Sequence, residues 1–268
     1  MRSDFEKDFI HASVAQNSGK EWPVYTFPDG FRCYSHAGQL ETELIYKEIV
    51  KDKEYLKHGI SIKDGDCIFD VGANIGIFTL LLGTLYSNLS IYAFEPVPQT
   101  FRVLQANVQL QALQHVDLYN FGLSSEDRKG VEFAYYVNMP GNSTTRPEEK
   151  EYQIEAARSF YTDEQIKFLS QYERTTVEMR TLSSFLEEKK VKRIDLLKID
   201  VEGNEQEVLK GIQDKHWELI RQMVVEVHNA NRYMQDLVAI LKEKDLSLSA
   251  EGGITDSLGN ANLYCIRK

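Results

Sequence analysis

The composition is that of an ordinary acidic globular protein. The chain has 268 residues, 41 of them acidic and 31 basic, for a formal net charge of −10, with 42% hydrophobic and 27% charged residues. This length suits one domain with additions. The charge argues against a sequence-independent nucleic-acid binder, which needs clustered Lys and Arg. No apolar run approaches the roughly 20 residues of a membrane span, and the charged N-terminus lacks the apolar stretch of a secretory signal. Three cysteines without metal-type spacing suit a reducing compartment. We therefore expect a cytoplasmic protein with no nucleic-acid or membrane partner.

The first 60 residues differ in pattern from the rest. Residues 1–20 are polar and predict a loose leader or short helices. Residues 22–35 alternate around a Pro-Asp-Gly turn signal, which predicts a small hairpin. Apolar residues at helical spacing over 41–59 predict a helix that stops at a glycine. We interpret residues 1–60 as an N-terminal extension on the substrate side.

From residue 61 to 268 short apolar runs alternate with stretches of helical spacing. The predicted strands are 67–71, 90–94, 116–120, 194–199 and 222–227, and the helices between them include 77–86, 99–113 and 204–212. Such alternation is typical of βαβ units, and apolar runs without alternation indicate strands covered on both faces. The predicted fold is α/β, an open, doubly wound, mostly parallel sheet.

One long insertion interrupts this pattern. After a predicted strand at 131–137, residues 138–174 are rich in charge and turn formers. An excursion of this length in a compact domain is usually a lid or a disordered segment. Within it, residues 162–172 predict a helix with Thr162 as N-cap.

The strongest local motif follows the first core strand and opens a helix. It reads D-x-G-x-N-x-G, from Asp70 through Gly72 and Asn74 to Gly76, and differs from the G-x-G-x-x-G of dinucleotide sites. A carboxylate before the first glycine would repel a pyrophosphate but accept hydrogen bonds from an ammonium group. The motif therefore favours S-adenosylmethionine over NAD as the cofactor. The alternative is a strand–turn–helix corner whose glycines serve packing alone.

Two further strand ends suit the same ligand. Glu95 follows the second core strand about 20 residues after the glycine turn, where an acid can bind both ribose hydroxyls. A lone glutamate there could also be a solvated strand end. Asn120 and Gly122 follow the third strand and could close over an adenine, although the segment alone is only a turn.

The last two strand ends carry acid–base residues. Asp200 and Glu202 follow the fourth strand, where they could position a methyl donor, orient a base or bind a metal, or simply favour the helix dipole. Glu226 and His228 share one side at the end of the fifth strand. A histidine there suits removal of a hydroxyl proton, with a structural histidine as the alternative.

Together these segments resemble the FkbM-type methyltransferases. The resemblance rests on FDVGANIGIFTL, YAFEPVPQTFRVLQANV, NFGLSS, IDLLKIDVEGNEQEVLKGI and VVEVHN. It implies a class I, Rossmann-like fold and S-adenosylmethionine-dependent methyl transfer, mostly to oxygen, with S-adenosylhomocysteine as product. The residues it assigns to the cofactor are Asp70, Gly72, Asn74, Gly76 and Glu95. The strand-end residues Asn120, Gly122 and Asp200 complete the predicted cofactor site. Those it assigns to the reaction centre are Asp200, Glu202, Glu226 and His228.

Two shorter segments are similar to family members of polyketide and mixed peptide–polyketide assembly lines. They are the helix QLETELIYKEI at 39–49 and MPGNST at 139–144. The similarity implies an acyl chain held by a carrier protein, methylated at its β-hydroxyl, and a chain that could be part of a larger polypeptide. It assigns Glu43, Tyr46, Asn142 and Ser143 to the substrate or the lid.

The resulting hypothesis is an O-methyltransferase in which the acceptor enters beneath the insertion. His228 takes the hydroxyl proton, and Glu202 or Glu226 orients the imidazole. The acceptor could instead be a sugar or another small-molecule hydroxyl, or a carbon or nitrogen atom. The same residues also leave open an inactive cofactor-binding domain of a megasynthase and an NAD-dependent oxidoreductase. We expect no bound metal, although Asp200, Glu202 and His228 leave a metal-assisted variant open.

Overall fold

The structure is a computed structural model that describes residues 12–15, 22–156, 162–252 and 259–268. Most of the predicted leader, 1–20, therefore lies outside the described residues. The same holds for residues 157–161 of the predicted insertion.

The N-terminal extension forms a small sheet followed by a helix. Its elements are β1 (Ser13–Ala15), β2 (Val24–Thr26), β3 (Arg32–Tyr34), α1 (Gln39–Tyr46), a π-helical turn (Lys47–Lys51) and a 3-10 turn (Glu54–Leu56). The hairpin expected over 22–35 is confirmed as β2 and β3, which pair antiparallel. The helix expected over 41–59 is interrupted, because Lys53 takes a left-handed conformation with φ 51°.

The remaining strands and helices follow the predicted alternation. The strands are β4 (Cys67–Val71), β5 (Ser90–Phe94), β6 (Val116–Tyr119), β7 (Gly122–Leu123), β8 (Arg128–Tyr136), β9 (Tyr172–Arg180), β10 (Leu196–Ile199), β11 (Gln222–Val227), β12 (Leu246–Gly252) and β13 (Ala261–Arg267). The helices are α2 (Ile77–Leu85), α3 (Pro98–Leu110), α4 (Pro147–Ala156), α5 (Asp163–Leu169), α6 (Leu182–Lys189), α7 (Glu205–Lys210), α8 (Asp214–Trp217) and α9 (Ala230–Lys242).

In the described part of the chain, seven strands form the central sheet in the order β12-β13-β11-β10-β4-β5-β6. The strands from β11 to β6 are parallel, whereas β13 runs antiparallel to β11 and β12 antiparallel to β13. All five predicted apolar runs contribute a strand. The prediction of an open, doubly wound, mostly parallel sheet is confirmed.

The two faces of this sheet meet different layers. Phe69 and Phe185 belong to a hydrophobic cluster on one face, whereas Ile68 belongs to the cluster on the other. Successive side chains of a strand alternate between faces. The second cluster also contains Tyr46 and Tyr55 of the extension. The extension therefore shares a core with the sheet, and its division from residues 61–268 as a separate domain stays a prediction.

The insertion connects two strands that leave the central sheet. β8, which contains most of the predicted strand 131–137, pairs antiparallel with β9, and β7 pairs parallel with β9. The last residues of the predicted insertion 138–174 belong to β9, which the sequence pattern did not indicate. Thr162 caps α5 as predicted, since its hydroxyl accepts from the Gln165 N–H in a capping box.

Candidate active site

A cleft that spans about 600 Å³, including space open to solvent, lies at the edge of the central sheet where the parallel strands end. Ligands of open α/β sheets bind at this edge. Of the residues predicted to bind a cofactor or to act at the reaction centre, those that line the cleft are Gly72, Asn74, Glu95, Gly122, Asp200 and Glu202. The structure thus brings together the ends of strands that are far apart in sequence.

The glycine turn after β4 lines this cleft through Gly72 and Asn74. Gly72 has φ 76°, and a Cβ there would lie 1.7 Å from the carbonyl oxygen of Asp200. No side chain fits at that separation, so glycine is required where β4 meets the end of β10. Gly76, with φ 92°, starts α2, and a Cβ there would lie 2.5 Å from Leu104 Cδ1. Gly76 therefore allows α2 to pack closely against Leu104. Such a packing role was the alternative to ligand binding for the glycines of this motif.

Glu95 is held rigidly at the cleft wall. Its Oε2 accepts from the Asn74 N–H at 3.0 Å and its Oε1 from the Val97 N–H at 2.8 Å. Burial raises the pKa of Glu95 to about 7. Asn120 supports this turn from behind, because its amide donates to the carbonyl oxygens of Glu95 at 2.9 Å and Pro96 at 3.0 Å. Asn120 thus positions Glu95 and does not itself line the cleft.

Asp70 occupies a different place from the one predicted. Its side chain is fully buried, and Thr79 donates to its Oδ2 at 2.7 Å. The parallel register sets Lys198 beside it, with the ammonium 3.1 Å from Asp70 Oδ1 and 3.5 Å from Asp200 Oδ2. Burial acts to lower the pKa of Lys198, but Asp70 and Asp200 raise it. The ammonium that Asp70 contacts is therefore the protein's own. A lysine inside an apolar strand belongs to no motif, so the sequence pattern did not indicate this pair.

His228 lies in a ring of carboxylates. Its Nδ1 contacts Glu205 Oε1 at 2.8 Å, and its Nε2 faces Glu202 Oε2 at 3.3 Å and Glu226 Oε1 at 3.6 Å. Burial acts to lower the pKa of His228, but Glu202 and Glu205 raise it well above its usual range. The predicted Glu202 and Glu226 are both present, yet the residue that orients the ring through its other nitrogen is Glu205. Sequence reasoning did not assign this role, although Glu205 is one turn from Glu202.

Tyr55 of the extension closes the same cluster. Its hydroxyl lies 2.9 Å from both Asp200 Oδ2 and Glu226 Oε2. A phenol donates one proton, so the Tyr55 hydroxyl can donate to only one of the two carboxyl groups at a time. Burial, Asp200 and Glu48 raise the pKa of Glu226 well above its usual range. Burial and Asp200 likewise raise the pKa of Glu48, on the π-helical turn, to about 7.

The predicted substrate residues of the extension face elsewhere. Glu43 accepts from the Ala12 N–H at 2.9 Å, and Tyr46 is fully buried and donates to Asp29 at 2.6 Å. Both therefore hold the extension together, because their side of α1 faces its own sheet. The contact with the insertion comes instead from Glu41, whose Oε1 accepts from the Gly141 N–H at 2.7 Å.

The described residues of the insertion, which we refer to as the lid, contact Glu202 of the predicted reaction centre. Thr144 donates to the carbonyl oxygen of Glu202 at 2.7 Å, and the Lys150 ammonium of α4 lies 2.5 Å from Glu202 Oε2. Although burial acts to raise it, His228 and Lys150 lower the pKa of Glu202 to about 2. Of the two lid residues predicted, Ser143 lines the cleft, whereas Asn142 ends a 3-10 turn beside it.

Asp200, Glu226 and His228 offer metal-ligand atoms within 4.8 Å of one another. Tyr55 and Lys198 already contact the two carboxylates, so the cluster has internal proton donors and a cation of its own. The absence of a metal stays a prediction.

Among the described residues no helix combines the length and apolar character of a membrane span. The cytoplasmic location also stays a prediction.

Comparison with known proteins places this site in a chemical context. Residues 70–248 match the methyltransferase FkbM domain. Methyltransferase 1 of Beauveria bassiana is 36% identical over 225 residues, which cover 83% of this chain and 88% of that protein. The 31-O-demethyl-FK506 methyltransferase FkbM of Streptomyces tacrolimicus is 34% identical, over 81% of this chain and 86% of that protein. The AMB antimetabolite synthetase AmbE of Pseudomonas aeruginosa is 31% identical over 81% of this chain, but over only 11% of its own length.

Proposed function

The chain belongs to the FkbM family of methyltransferases, and we propose that it methylates a hydroxyl oxygen, namely the β-hydroxyl of an acyl chain bound to a carrier protein. It is a methyltransferase whose methyl donor is S-adenosylmethionine, as both the glycine turn and the resemblance predicted. This chemistry sets aside the NAD-dependent oxidoreductase. The acceptor atom and the carrier belong to the proposal.

The cleft suits this donor in its charges. S-adenosylmethionine supplies an electrophilic methyl group on a cationic sulfonium and carries an ammonium group besides. The carboxylates of Glu95, Asp200 and Glu202 line the cleft and complement these positive charges. Glu95 would hold the ribose, because each of its oxygens keeps a second lone pair beside its backbone hydrogen bond. Gly72 and Asn74 would face the methionine end.

Transfer to oxygen is supported above all by the pair that His228 forms with Glu205. A hydroxyl becomes strongly acidic as it is methylated, so a base near it must take its proton. His228 Nε2 faces Glu202, which lines the cleft, while Glu205 fixes Nδ1. Glu205 would stabilise the imidazolium that forms when Nε2 accepts the proton. This is the arrangement of an oriented general base.

The charge of His228 sets a condition on this role. The neighbouring carboxylates favour the imidazolium, which cannot accept a proton at Nε2. Positive charge brought close to Glu202 and Asp200 opposes that effect and favours neutral imidazole. The base would therefore become competent when the cleft holds a cationic ligand.

Two of the relatives support the acceptor class. The Streptomyces relative is named for methylation at an oxygen, the 31-O position of FK506. AmbE is a synthetase of which the matching region is a small part, which favours a multidomain setting for this type of chain. The lid closed by α4 and the extension gives the acceptor a covered entry, as a tethered acyl chain would require.

The proposal is tested by methyl transfer to β-hydroxybutyryl groups loaded on an acyl carrier protein. The intact carrier is analysed by mass spectrometry and the methyl ether by NMR, with S-adenosylhomocysteine affinity measured by calorimetry. We expect O-methylation by the wild type and a loss of roughly 10²–10⁴-fold in kcat for His228→Ala, with the S-adenosylhomocysteine affinity retained.

The matched control is His115→Asn, since His115 is exposed in a turn and its left-handed backbone suits asparagine. This control should keep the wild-type rate. Full activity of His228→Ala would exclude the base, and methylation at carbon or nitrogen would exclude oxygen as the acceptor. Transfer to free hydroxyl compounds but never to the loaded carrier would exclude the carrier-bound substrate.

A further inference from the structure

A second cavity shares Glu202 with the cofactor cleft. It spans about 220 Å³, part of which is open to solvent, and lies between α4 and the loops that follow β10 and β11. Glu202 lines both cavities, and His228 lines only the second. A group placed in the second cavity would therefore be able to contact the base. Under the proposed function the acceptor hydroxyl must reach this base.

This cavity is rich in cationic hydrogen-bond donors. Lys150 is 9% exposed, and its ammonium reaches the cavity from α4. Among the described residues the Arg146 guanidinium makes one hydrogen bond, to the Tyr233 hydroxyl at 3.4 Å, and its ion pairs with Glu149 and Glu207 are long, at 3.6 and 3.9 Å. A guanidinium has five N–H donors, so most of those on Arg146 are available to a ligand.

The lysine is placed to exchange partners. Glu202 Oε2 receives both the Lys150 ammonium at 2.5 Å and the His228 Nε2 at 3.3 Å. The backbone of Glu202 lies in the left-handed region, with φ 52°, and its carbonyl oxygen accepts from Thr144. The insertion therefore contacts both the backbone and the carboxylate of Glu202, while the flexible lysine stem can turn its ammonium toward an oxygen that enters the cavity.

We propose that this cavity is the acceptor subsite and that Lys150 and Arg146 select a hydroxyl compound with a carbonyl or carboxylate oxygen close to the reacting hydroxyl. The proposal rests on the proposed function and adds the recognition element of its substrate. In the bound state the hydroxyl contacts His228 Nε2 and the second oxygen accepts from Lys150. A thioester carbonyl and a free carboxylate share this chemistry, and a simple alcohol lacks it.

Three probes separate these cases. They are S-(β-hydroxybutyryl)-N-acetylcysteamine, the thioether analogue whose carbonyl is replaced by methylene, and free β-hydroxybutyrate. The kcat/KM of each is measured with wild type, Lys150→Met and Thr145→Val. Thr145→Val removes another lid contact, the 2.8 Å hydrogen bond to Asn204, without a change in charge. Binding of S-adenosylhomocysteine is measured for every variant.

We expect the wild type to prefer the thioester over the thioether by roughly tenfold or more, the worth of a hydrogen bond to a charged donor. Lys150→Met should reduce that preference to near unity, whereas Thr145→Val should keep it. Preference for β-hydroxybutyrate over the thioester would identify a carboxylate as the selected oxygen.

Equal use of thioester and thioether by the wild type would overturn the subsite and leave the O-methyltransferase standing. An equal loss for both probes in Lys150→Met and Thr145→Val would reduce Lys150 to a lid contact and overturn its selective role. Transfer to no hydroxyl probe, with S-adenosylhomocysteine bound, would reject the proposed function together with the subsite.

Discussion

The two halves of the active site are built in different ways. The proposed cofactor half consists of Gly72, Asn74 and Glu95, and the proposed acceptor half of Tyr55, Lys150, Glu202, Glu205, Glu226 and His228. The cofactor half is held by backbone groups of two consecutive strand–loop units, such as the Asn74 N–H on Glu95, 21 residues apart. The acceptor half joins side chains separated by up to 171 residues, from Tyr55 to Glu226. The geometry of the cofactor half therefore depends on residues that are close together in the sequence. The residues proposed for proton transfer are brought together by packing between distant parts of the chain.

The largest effect should come from the backbone of the cofactor half. In Gly72→Ala the new methyl group meets the Asp200 carbonyl oxygen at 1.7 Å, so we expect a loss of about 3 kcal/mol or more in unfolding free energy. Binding of S-adenosylhomocysteine should be lost as well. Chemical denaturation and calorimetry measure the two quantities.

Gly30→Ala is the matched control for this variant. Gly30 has φ 87°, and a Cβ there meets nothing within 4 Å. It should cost only about 1–2 kcal/mol, the penalty of the left-handed backbone, and keep the ligand affinity. Equal stability of the two variants would show that the backbone around Asp200 moves away from the new methyl group at little cost in free energy. The cofactor half would then not depend on its backbone geometry in the way proposed.

An intermediate effect is expected in the acceptor half from Glu205→Gln. The substitution keeps an acceptor for His228 Nδ1 but removes a negative charge that raises the pKa of His228. Activity requires neutral His228 and therefore rises with pH through that pKa. The acid limb of the pH–rate profile should move to lower pH by about one unit, with a roughly tenfold lower plateau rate.

Glu207→Gln provides the comparison for that profile. Glu207 lies in the same helix but contacts Ser125 and Lys210. Its substitution should leave the acid limb in place. An unmoved limb in Glu205→Gln would remove His228 as the group whose titration controls the rate.

The smallest effect concerns the contact between extension and lid. Burial raises the pKa of Glu41 from 4.5 to about 8, so the folded protein holds a proton between these values that the unfolded chain has released. Folding stability contributed by this group is present at low pH and is lost as pH rises toward 8. Glu41→Gln should remove this dependence and raise the melting temperature by a few degrees near pH 8 relative to pH 5.

Glu187, on the surface, provides a control in which the pKa of the carboxyl group is shifted in the opposite direction. The Lys215 hydrogen bond lowers the pKa of the exposed Glu187. Glu187→Gln should therefore lose a small amount of stability at neutral pH and none in acid. If Glu41→Gln and the wild type melt alike at every pH, Glu41 does not carry a buried proton at the lid contact.

The sequence predicted the cofactor half better than the acceptor half for a physical reason. Gly72 and Glu95 follow their own strands, so a linear pattern of apolar run, turn and acid already places them. Asp70 was assigned to a ligand because its partner, Lys198, is brought beside it only by the β4–β10 register. Tyr55 had no signal, since its role depends on how the extension packs over the sheet.

Similar reasoning explains the errors in the extension. The sequence similarity drew attention to Glu43 and Tyr46, but the face of α1 that meets the insertion carries Glu41. An amphipathic pattern indicates which side of a helix is buried and does not say against what.

By itself the sequence determined that this is a doubly wound α/β methyltransferase, and it placed the candidate site residues after the strands. It could do so because strand and turn propensities act locally and the carboxyl ends of parallel strands share one edge. Only the tertiary structure decided which of these residues meet. Strand register placed Lys198 between Asp70 and Asp200, and packing of the extension and insertion set Tyr55 against Asp200 and Lys150 against Glu202. Those pairings follow from the burial of apolar faces over the whole chain, which no local pattern encodes.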